Sequence, residues 1–420
     1  MKKIFNVLLI LFIISFTTRE SFAVNKYTKH EYQIEMRDGV RLYTIVYSPI
    51  DTSEAHPILI TRTPYSVGPY GKDKFKHLPS HLVDDEYIFV YQDVRGKFMS
   101  QGKYVNMRPY IPNKNGNQVD ESSDTYDTID WLVENIPNNN GNVGIYGISY
   151  PGFYSAMSLN DSHPALKAVS PQAPIADWFV GDDMHHNGAF TLTMAYIFFS
   201  SFGRERPYPT TKWNSRIVKL DTTSYEYFLK VGPLKRVNGN YFHGKIDFWN
   251  KCMIHGTYDE FWQSRNTLNY FDKVTPAVMT VGGWYDNEDL YGTLNTYQTI
   301  ERKNKNNKNI LVMGPWYHGG WARSDGNTFG DMRFGSNTSE FYREEMEKRF
   351  FEYYLEGKGN FDLPEAYVFE TGKNVWHKYD EWPPNNAAWQ PIYFSDNNGL
   401  TFIQERKSKI DFNEYISDPN

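Results

Sequence analysis

The chain of 420 residues has a single cysteine, Cys252, and one His-x-x-x-His spacing, His77 to His81, which Pro79 interrupts. One cysteine excludes an internal disulfide and a thiolate metal cluster, so Cys252 is read as a small buried apolar residue. No metal and no cofactor is expected. Positive charge is in short supply, 44 Lys and Arg against 50 Asp and Glu, a net charge of −6. That disfavours nucleic acid and anionic membrane as partners. The sequence lacks internal repeats and low-complexity tracts. After the first apolar run, residues 4–16, no run is long enough to span a membrane. That run follows Lys2 and Lys3 and precedes Ser21-Phe22-Ala23, the pattern of a secretory signal peptide over residues 1–23. It is short for a membrane span. Cleavage after Ala23 leaves a more negative chain, expected to be soluble and exported, periplasmic or extracellular. A homo-oligomer stays open.

The remaining length supports two or three domains and a sizeable core. Residues 32–36 and 41–47 flank Arg37-Asp38-Gly39, an Asp-Gly hairpin signal. Short β-rich runs at 57–61, 87–92, 143–146 and 166–170 alternate with helical spacing at 124–136, which predicts a mostly parallel sheet covered on both faces. From 177 to 269 the runs become aromatic and helical, as at 188–202 and 225–231, with no clear strand, which reads as an inserted helical cap. Strands resume at 277–281 and 309–313, and 338–356 has the pattern of a long amphipathic helix. Beyond Gly357-Lys358-Gly359, short runs at 366–370, 375–379 and 391–395 read as a β-sandwich that the chain leaves early, at Asn420. The expected division is an α/β domain over 24–176 and 270–360, a cap over 177–269 and the start of a further domain over 361–420.

Chemistry is carried first by Gly147-Ile148-Ser149-Tyr150-Pro151-Gly152, a variant nucleophile elbow between a strand and a helix expected from Ser155. A sharp strand-to-helix turn brings two backbones together and asks for residues without Cβ on either side of the serine. The common pattern has glycine two residues after the serine; here Pro151 stands there and Gly152 follows. Such a turn exposes the Ser149 hydroxyl and aims the Tyr150 N–H at a developing oxyanion.

A nucleophilic serine needs a base and an orienting carboxylate, which in α/β-hydrolases follow it on loops after strands. The strand at 277–281 runs into Gly282-Gly283-Trp284-Tyr285-Asp286-Asn287-Glu288-Asp289, and the strand at 309–313 into Gly314-Pro315-Trp316-Tyr317-His318. His318 is the histidine placed directly after a strand in a glycine-rich loop. Asp286 is the first acid of its loop, with Glu288 and Asp289 as rivals.

Together with Thr63-Pro64-Tyr65, Asp93-Val94-Arg95-Gly96 and Gly181-Asp182-Asp183, these motifs resemble the cocaine esterase and glutaryl acylase branch of the X-Pro dipeptidyl-peptidase-like serine hydrolases. Within it the chain is most similar to α-amino acid ester hydrolases, which cleave and synthesise β-lactam antibiotics bearing an α-amino acyl side chain. The ordered set is far more specific than the elbow alone. The resemblance implies an α/β-hydrolase fold with a helical cap and a C-terminal jelly roll, of which 361–420 would be an incomplete beginning. It implies Ser149 as nucleophile, His318 as base, Asp286 as orienter, and the Tyr65 hydroxyl beside the Tyr150 N–H as oxyanion hole. It also implies Asp183, Glu288 and Asp289 as a carboxylate cluster for the substrate's α-ammonium. The expected partner is therefore a small α-amino acyl ester or amide. Competing readings are an X-Pro dipeptidyl peptidase, a general carboxylesterase, and, from another class, an idle binding protein on the same fold, against which the complete Ser, His and Asp set argues.

Overall fold

The computed structural model describes residues 26–218, 222–360, 362–395 and 399–404, with Glu414 and Ile416. The expected signal peptide, 1–23, lies outside the described residues. The chain divides into two compact units, one up to Asp380 and one from Glu381.

The first unit is built on a ten-stranded sheet. Its strands are β1 (Tyr27–Glu35), β2 (Arg41–Pro49), β3 (His56–Thr63), β4 (Ile88–Asp93), β5 (Asn139–Ile148), β6 (Leu166–Gln172), β7 (Ala277–Gly283), β8 (Asn309–Gly314), β9 (Ala366–Glu370) and β10 (Val375–Tyr379). Their spatial order is β1-β2-β4-β3-β5-β6-β7-β8-β9-β10. The β1-β2 hairpin pairs antiparallel, and β2 joins β4 antiparallel. From β4 to β9 every pairing is parallel. Strands β4, β7 and β8 are buried along their whole length, as parallel strands covered on both faces must be. This is the mixed α/β, mostly parallel sheet that the alternating runs predict.

Helix α1 (Glu121–Asn135) leads into β5. Asp120 caps it, accepting from the Ser123 N–H while the Ser123 hydroxyl accepts from the Asp120 N–H, a reciprocal capping box. Helix α2 (Tyr150–Met157) begins directly after Ser149, earlier than the sequence suggests, because Pro151 falls in its first turn, where a missing N–H costs nothing. Between β6 and β7 the chain leaves the sheet for α3 (Leu192–Phe202), α4 (Ser224–Val231), α5 (Asp247–Ile254) and shorter turns. Their buried aromatics, among them Phe199, Phe248, Trp249 and Trp262, form a core of their own that also takes in Tyr150, Phe153 and Tyr154 of α2. Cys252 is buried in it. The region contains one small hairpin that the sequence did not signal, His185–His186 with Ala189–Phe190. A helical stretch from Thr338 to Glu356, partly in wide π turns, lays Met346, Phe350, Phe351 and Leu355 against the sheet.

The strands expected to open a separate sandwich, 366–370 and 375–379, instead complete the main sheet as β9 and β10. Ala366, Val368 and Phe369 are buried, so β9 gains both ladder bonds and apolar cover beside β8. The second unit contains an antiparallel hairpin, Tyr393–Ser395 with Gly399–Thr401, and exposes Trp389 and Phe394. No helix among the described residues is long and apolar enough to cross a membrane.

Candidate active site

Three loops at the carboxyl ends of β5, β7 and β8 carry Ser149, Asp286 and His318, where parallel sheets place their sites. Ser149 has φ 68° and ψ −125°, a strained conformation for a residue with a side chain. Its N–H donates to the Gln172 carbonyl at 2.9 Å, and its carbonyl accepts from Phe153 at 2.9 Å, which pins the turn on both sides. The flanking glycines are required sterically. A Cβ on Gly147 would lie 2.5 Å from that of Pro151, and one on Gly152 would lie 2.4 Å from the Gln172 carbonyl oxygen. Tyr150 is the first residue of α2, so its N–H has no intrahelical acceptor.

The β7 and β8 loops are zipped together by main chain: Trp284 N–H donates to Gly314 and Tyr285 N–H to Trp316. That register brings His318 Nδ1 to 2.9 Å from Asp286 Oδ2. The other Asp286 oxygen accepts from the N–H groups of Glu288 and Asp289 at 2.8 and 3.0 Å. Both oxygens are thus occupied and the carboxylate is held in one orientation. Asp286 is therefore the acid of this loop that meets the histidine through Nδ1. Glu288 faces the other ring nitrogen, Oε2 to Nε2 at 3.6 Å. Burial alone would lower the His318 pKa; the hydrogen bond and charge of Asp286, then the charges of Glu288 and Asp183, outweigh it and raise it. Among the described residues no hydrogen bond joins Ser149 to His318, a contact that is often long before substrate binds. The His318 loop is braced from β6, where the Gln172 side chain accepts from Trp321 Nε1 at 2.7 Å.

Asp183 lies far from this loop in sequence but meets it through main chain: its N–H donates to the Glu288 carbonyl at 2.9 Å. Its backbone has φ 41°, and its Oδ2 accepts from Trp178 Nε1 at 2.9 Å. Asp182 fixes the approach. It accepts from the N–H groups of Ala176 and Asp177 and from that of Gly292, tying the start of the cap to the helix after Asp289. Neither Trp178 nor Asp182 carried a role in the sequence reading; a donor five residues before Asp183 gives no periodic signal.

Asp289 differs from its neighbours. It is fully buried, and neither of its carboxylate oxygens has a hydrogen-bond partner among the described residues. Burial, followed by the charges of Asp183, Asp182, Asp286 and Glu288, pushes its pKa well above the carboxylate range. Asp183 is pushed up to about 7, by burial and then by Glu288. Tyr65 responds to the same field. Its phenol is raised by burial and then by Asp183, Tyr150, Asp289 and Glu288, which keeps it a hydrogen-bond donor. Its ring sits edge-on to Tyr150 at 6.2 Å. Asp286, His318, Glu288, Asp289 and Asp183 are thus joined by hydrogen bonds and close charges, and Tyr65 lies in their field and against Tyr150, the residue after Ser149. No group of His, Cys, Asp and Glu among the described residues is arranged to hold a metal ion.

The sequence profile of the X-Pro dipeptidyl-peptidase (S15) family matches residues 38–320. The cocaine esterase of Rhodococcus sp. (strain MB1 Bresler) is 28% identical over 383 residues, covering 86% of this chain and 61% of its own length. Among solved structures, an aminopeptidase from the marine sediment archaeon Thaumarchaeota archaeon superimposes with a TM-score of 0.82 at 34% identity, over 90% of this chain and 62% of that one. An α-amino acid ester hydrolase superimposes with a TM-score of 0.82 at 32% identity, over 90% of this chain and 63% of that one. The chain thus spans about three-fifths of the length of each of these relatives. The match extends from the turn of the first hairpin to just past His318, about two thirds of the chain, and on that ground the chain belongs to the X-Pro dipeptidyl-peptidase (S15) family.

Proposed function

We propose that the protein is a serine hydrolase of α-amino acid esters and amides that works through an acyl-enzyme. Ser149 Oγ attacks the acyl carbonyl while His318 Nε2 takes its proton. Asp286, bonded to Nδ1, keeps the other proton there and stabilises the imidazolium. The oxyanion accepts from the Tyr150 N–H and the Tyr65 hydroxyl. His318 returns its proton to the departing alcohol or amine, and water, activated by the same base, releases the acid. β-Lactam antibiotics with α-amino acyl side chains fall within this substrate class. The lysine-led apolar N-terminus supports action outside the cytoplasm.

The observation that carries the substrate class is Asp289: a buried carboxylate with both oxygens unpartnered, beside Asp183 and Glu288. A buried acceptor without a donor is costly, and so are neighbouring carboxylates of like charge. A substrate α-ammonium brings both a cation and three N–H donors. The names of the two solved structures, aminopeptidase and α-amino acid ester hydrolase, point the same way. The test is a paired assay of phenylglycine methyl ester and phenylacetate methyl ester. The proposal requires a strong preference for the amino ester; equal kcat/KM values would reduce the protein to an unspecialised esterase.

A further inference from the structure

Gln172 ends β6 between the two strands that lead to Ser149 and Asp286. It pairs in register with Ile148 of β5 and with Val281 of β7. Its carbonyl accepts from the Ser149 N–H at 2.9 Å. Its buried side chain reaches the loop after β8, where Oε1 accepts from Trp321 Nε1 at 2.7 Å. Trp321 stands three residues after His318. One residue thus touches the segments that carry Ser149, Asp286 and His318.

The side chain of Gln172 is itself held by a charge. Its Nε2 donates to Glu347 Oε1 at 2.5 Å. Glu347 is buried on the helical stretch that packs against the sheet. Its Oε1 also accepts from the Tyr342 hydroxyl at 3.1 Å, and its Oε2 accepts from His81 Nε2 at 2.7 Å. Burial alone would raise the Glu347 pKa; the hydrogen bond and charge of His81, then the hydrogen bonds of Gln172 and Tyr342, outweigh it and lower it. Glu347 is therefore ionised at neutral pH. An ionised carboxylate only accepts, so the Gln172 amide must turn Nε2 towards it and Oε1 away, to the donor-only indole of Trp321. Turned over, the amide would set Oε1 against a carboxylate and one N–H donor against another. A buried charge is a costly way to satisfy one amide; what it adds is a single orientation.

The same helical stretch holds the His318 loop at two further points. Trp316, two residues before His318, donates from Nε1 to Thr338 Oγ1 at 2.9 Å. Arg343 donates from Nη1 to the carbonyls of Trp321 and Ser324 at 2.5 and 3.0 Å. Trp316 and Trp321 are both buried, with ring centroids 5.6 Å apart. His318 therefore hangs between two buried indoles, and the indole on its far side takes its acceptor from Gln172.

We propose that Glu347 is a positioning residue for the reaction: by fixing the amide of Gln172 it sets, through Trp321, where His318 stands relative to Ser149. Glu347 touches neither the substrate nor the reacting atoms. The proposal rests on the serine-hydrolase reading. It does not depend on the ammonium preference, because the reach of His318 Nε2 to Ser149 Oγ matters for any ester. A misplacement of about 1 Å in such a pair costs on the order of 10²-fold in rate.

The test measures kcat and KM for phenylglycine methyl ester and phenylacetate methyl ester on wild type, Gln172→Met, Glu347→Gln, Gln172→Glu and the swap Gln172→Glu/Glu347→Gln. Exhaustive labelling by a fluorophosphonate, read by intact mass, counts folded sites, and kcat is expressed per labelled site. Gln172→Met should lose about 10- to 100-fold in kcat and Glu347→Gln about 10-fold, alike on both esters and with KM little changed. Gln172→Glu sets two carboxylates together and should lose most. The swap should recover about 10-fold of that loss, because a carboxylate at 172 then accepts from both Trp321 and an amide at 347. A merely structural role would lower the labelled fraction and the melting temperature and leave kcat per labelled site unchanged. That result in Gln172→Met or in Glu347→Gln overturns the proposal, and so does a swap no better than Gln172→Glu. If Gln172→Met takes no label, Glu347→Gln and the swap decide. A wild type that hydrolyses neither ester and takes no label overturns the serine-hydrolase reading and this proposal with it. A wild type that hydrolyses both esters equally ends only the ammonium reading, and the variants still decide the role of Glu347.

Discussion

Asp286 and Asp289 lie three residues apart in one loop, both buried, and are built on opposite rules. Asp286 is saturated: His318 takes one oxygen and two main-chain N–H groups take the other. Asp289 is starved, with no donor for either oxygen among the described residues and four carboxylates acting on it. Under the proposed function the contrast separates two uses of a buried acid. A carboxylate that must orient a base is held by the protein's own donors, so its geometry does not depend on what is bound. A carboxylate that must recognise a cation is left short of donors, and its cost in the empty protein becomes affinity when the cation arrives.

The comparison breaks first at the residue both ends serve. Ser149→Ala should lower turnover of every ester on the order of 10⁶-fold. Intact-mass analysis with a slow ester should find an acyl adduct on wild type and none on the variant; an adduct on the variant contradicts the assignment of Ser149. Next, Asp286→Asn should cut kcat by about 10⁴ through the wrong His318 tautomer, equally for amino and des-amino esters, with the fold unchanged by circular dichroism. If Glu288→Gln behaves that way and Asp286→Asn does not, the two acids have exchanged roles. Tyr65→Phe removes one oxyanion donor and should cost about 10²–10³ in kcat; an unchanged kcat would make Tyr65 a packing residue.

The smallest effect is on stability, and its sign is opposite to the loss of function. Asp183 and Asp289 bind protons more tightly folded than unfolded, because their folded pKa values are raised. Wherever the folded state holds more protons, stability falls as pH rises. For Asp183 that window runs from about 4, the unfolded value, to about 7. Asp289→Asn should therefore raise the melting temperature of the unliganded protein at pH 8, with the gain fading as pH falls towards 4. A lower melting temperature at pH 8 would mean that Asp289 is a structural acid with a partner.

Much of this site is legible in the sequence because the groups proposed to carry the reaction lie on loops that follow strands. Ser149, Asp286 and His318 each follow a buried apolar run, and the glycines around Ser149 mark a turn that excludes any Cβ. What stays hidden depends on distant backbone. Asp183 reaches the triad through one main-chain bond to Glu288, and Trp178 reaches Asp183 through an indole N–H. Strands β9 and β10 are ambiguous in the sequence for a simpler reason. Short alternating strands read alike at the edge of a parallel sheet and in a sandwich, and which of the two forms is decided by the exposed ladder of β8.

Under the proposed function the starved end of the loop reads an ammonium. The direct measurement is kcat/KM for phenylglycine methyl ester and phenylacetate methyl ester on wild type and on Asp183→Asn. The variant should lose about 2–5 kcal/mol of transition-state stabilisation on the amino ester, as when one partner of a buried charge pair is removed. The des-amino ester should be unaffected or improved. Equal losses on the two esters would contradict the account and make the carboxylate cluster a structural feature.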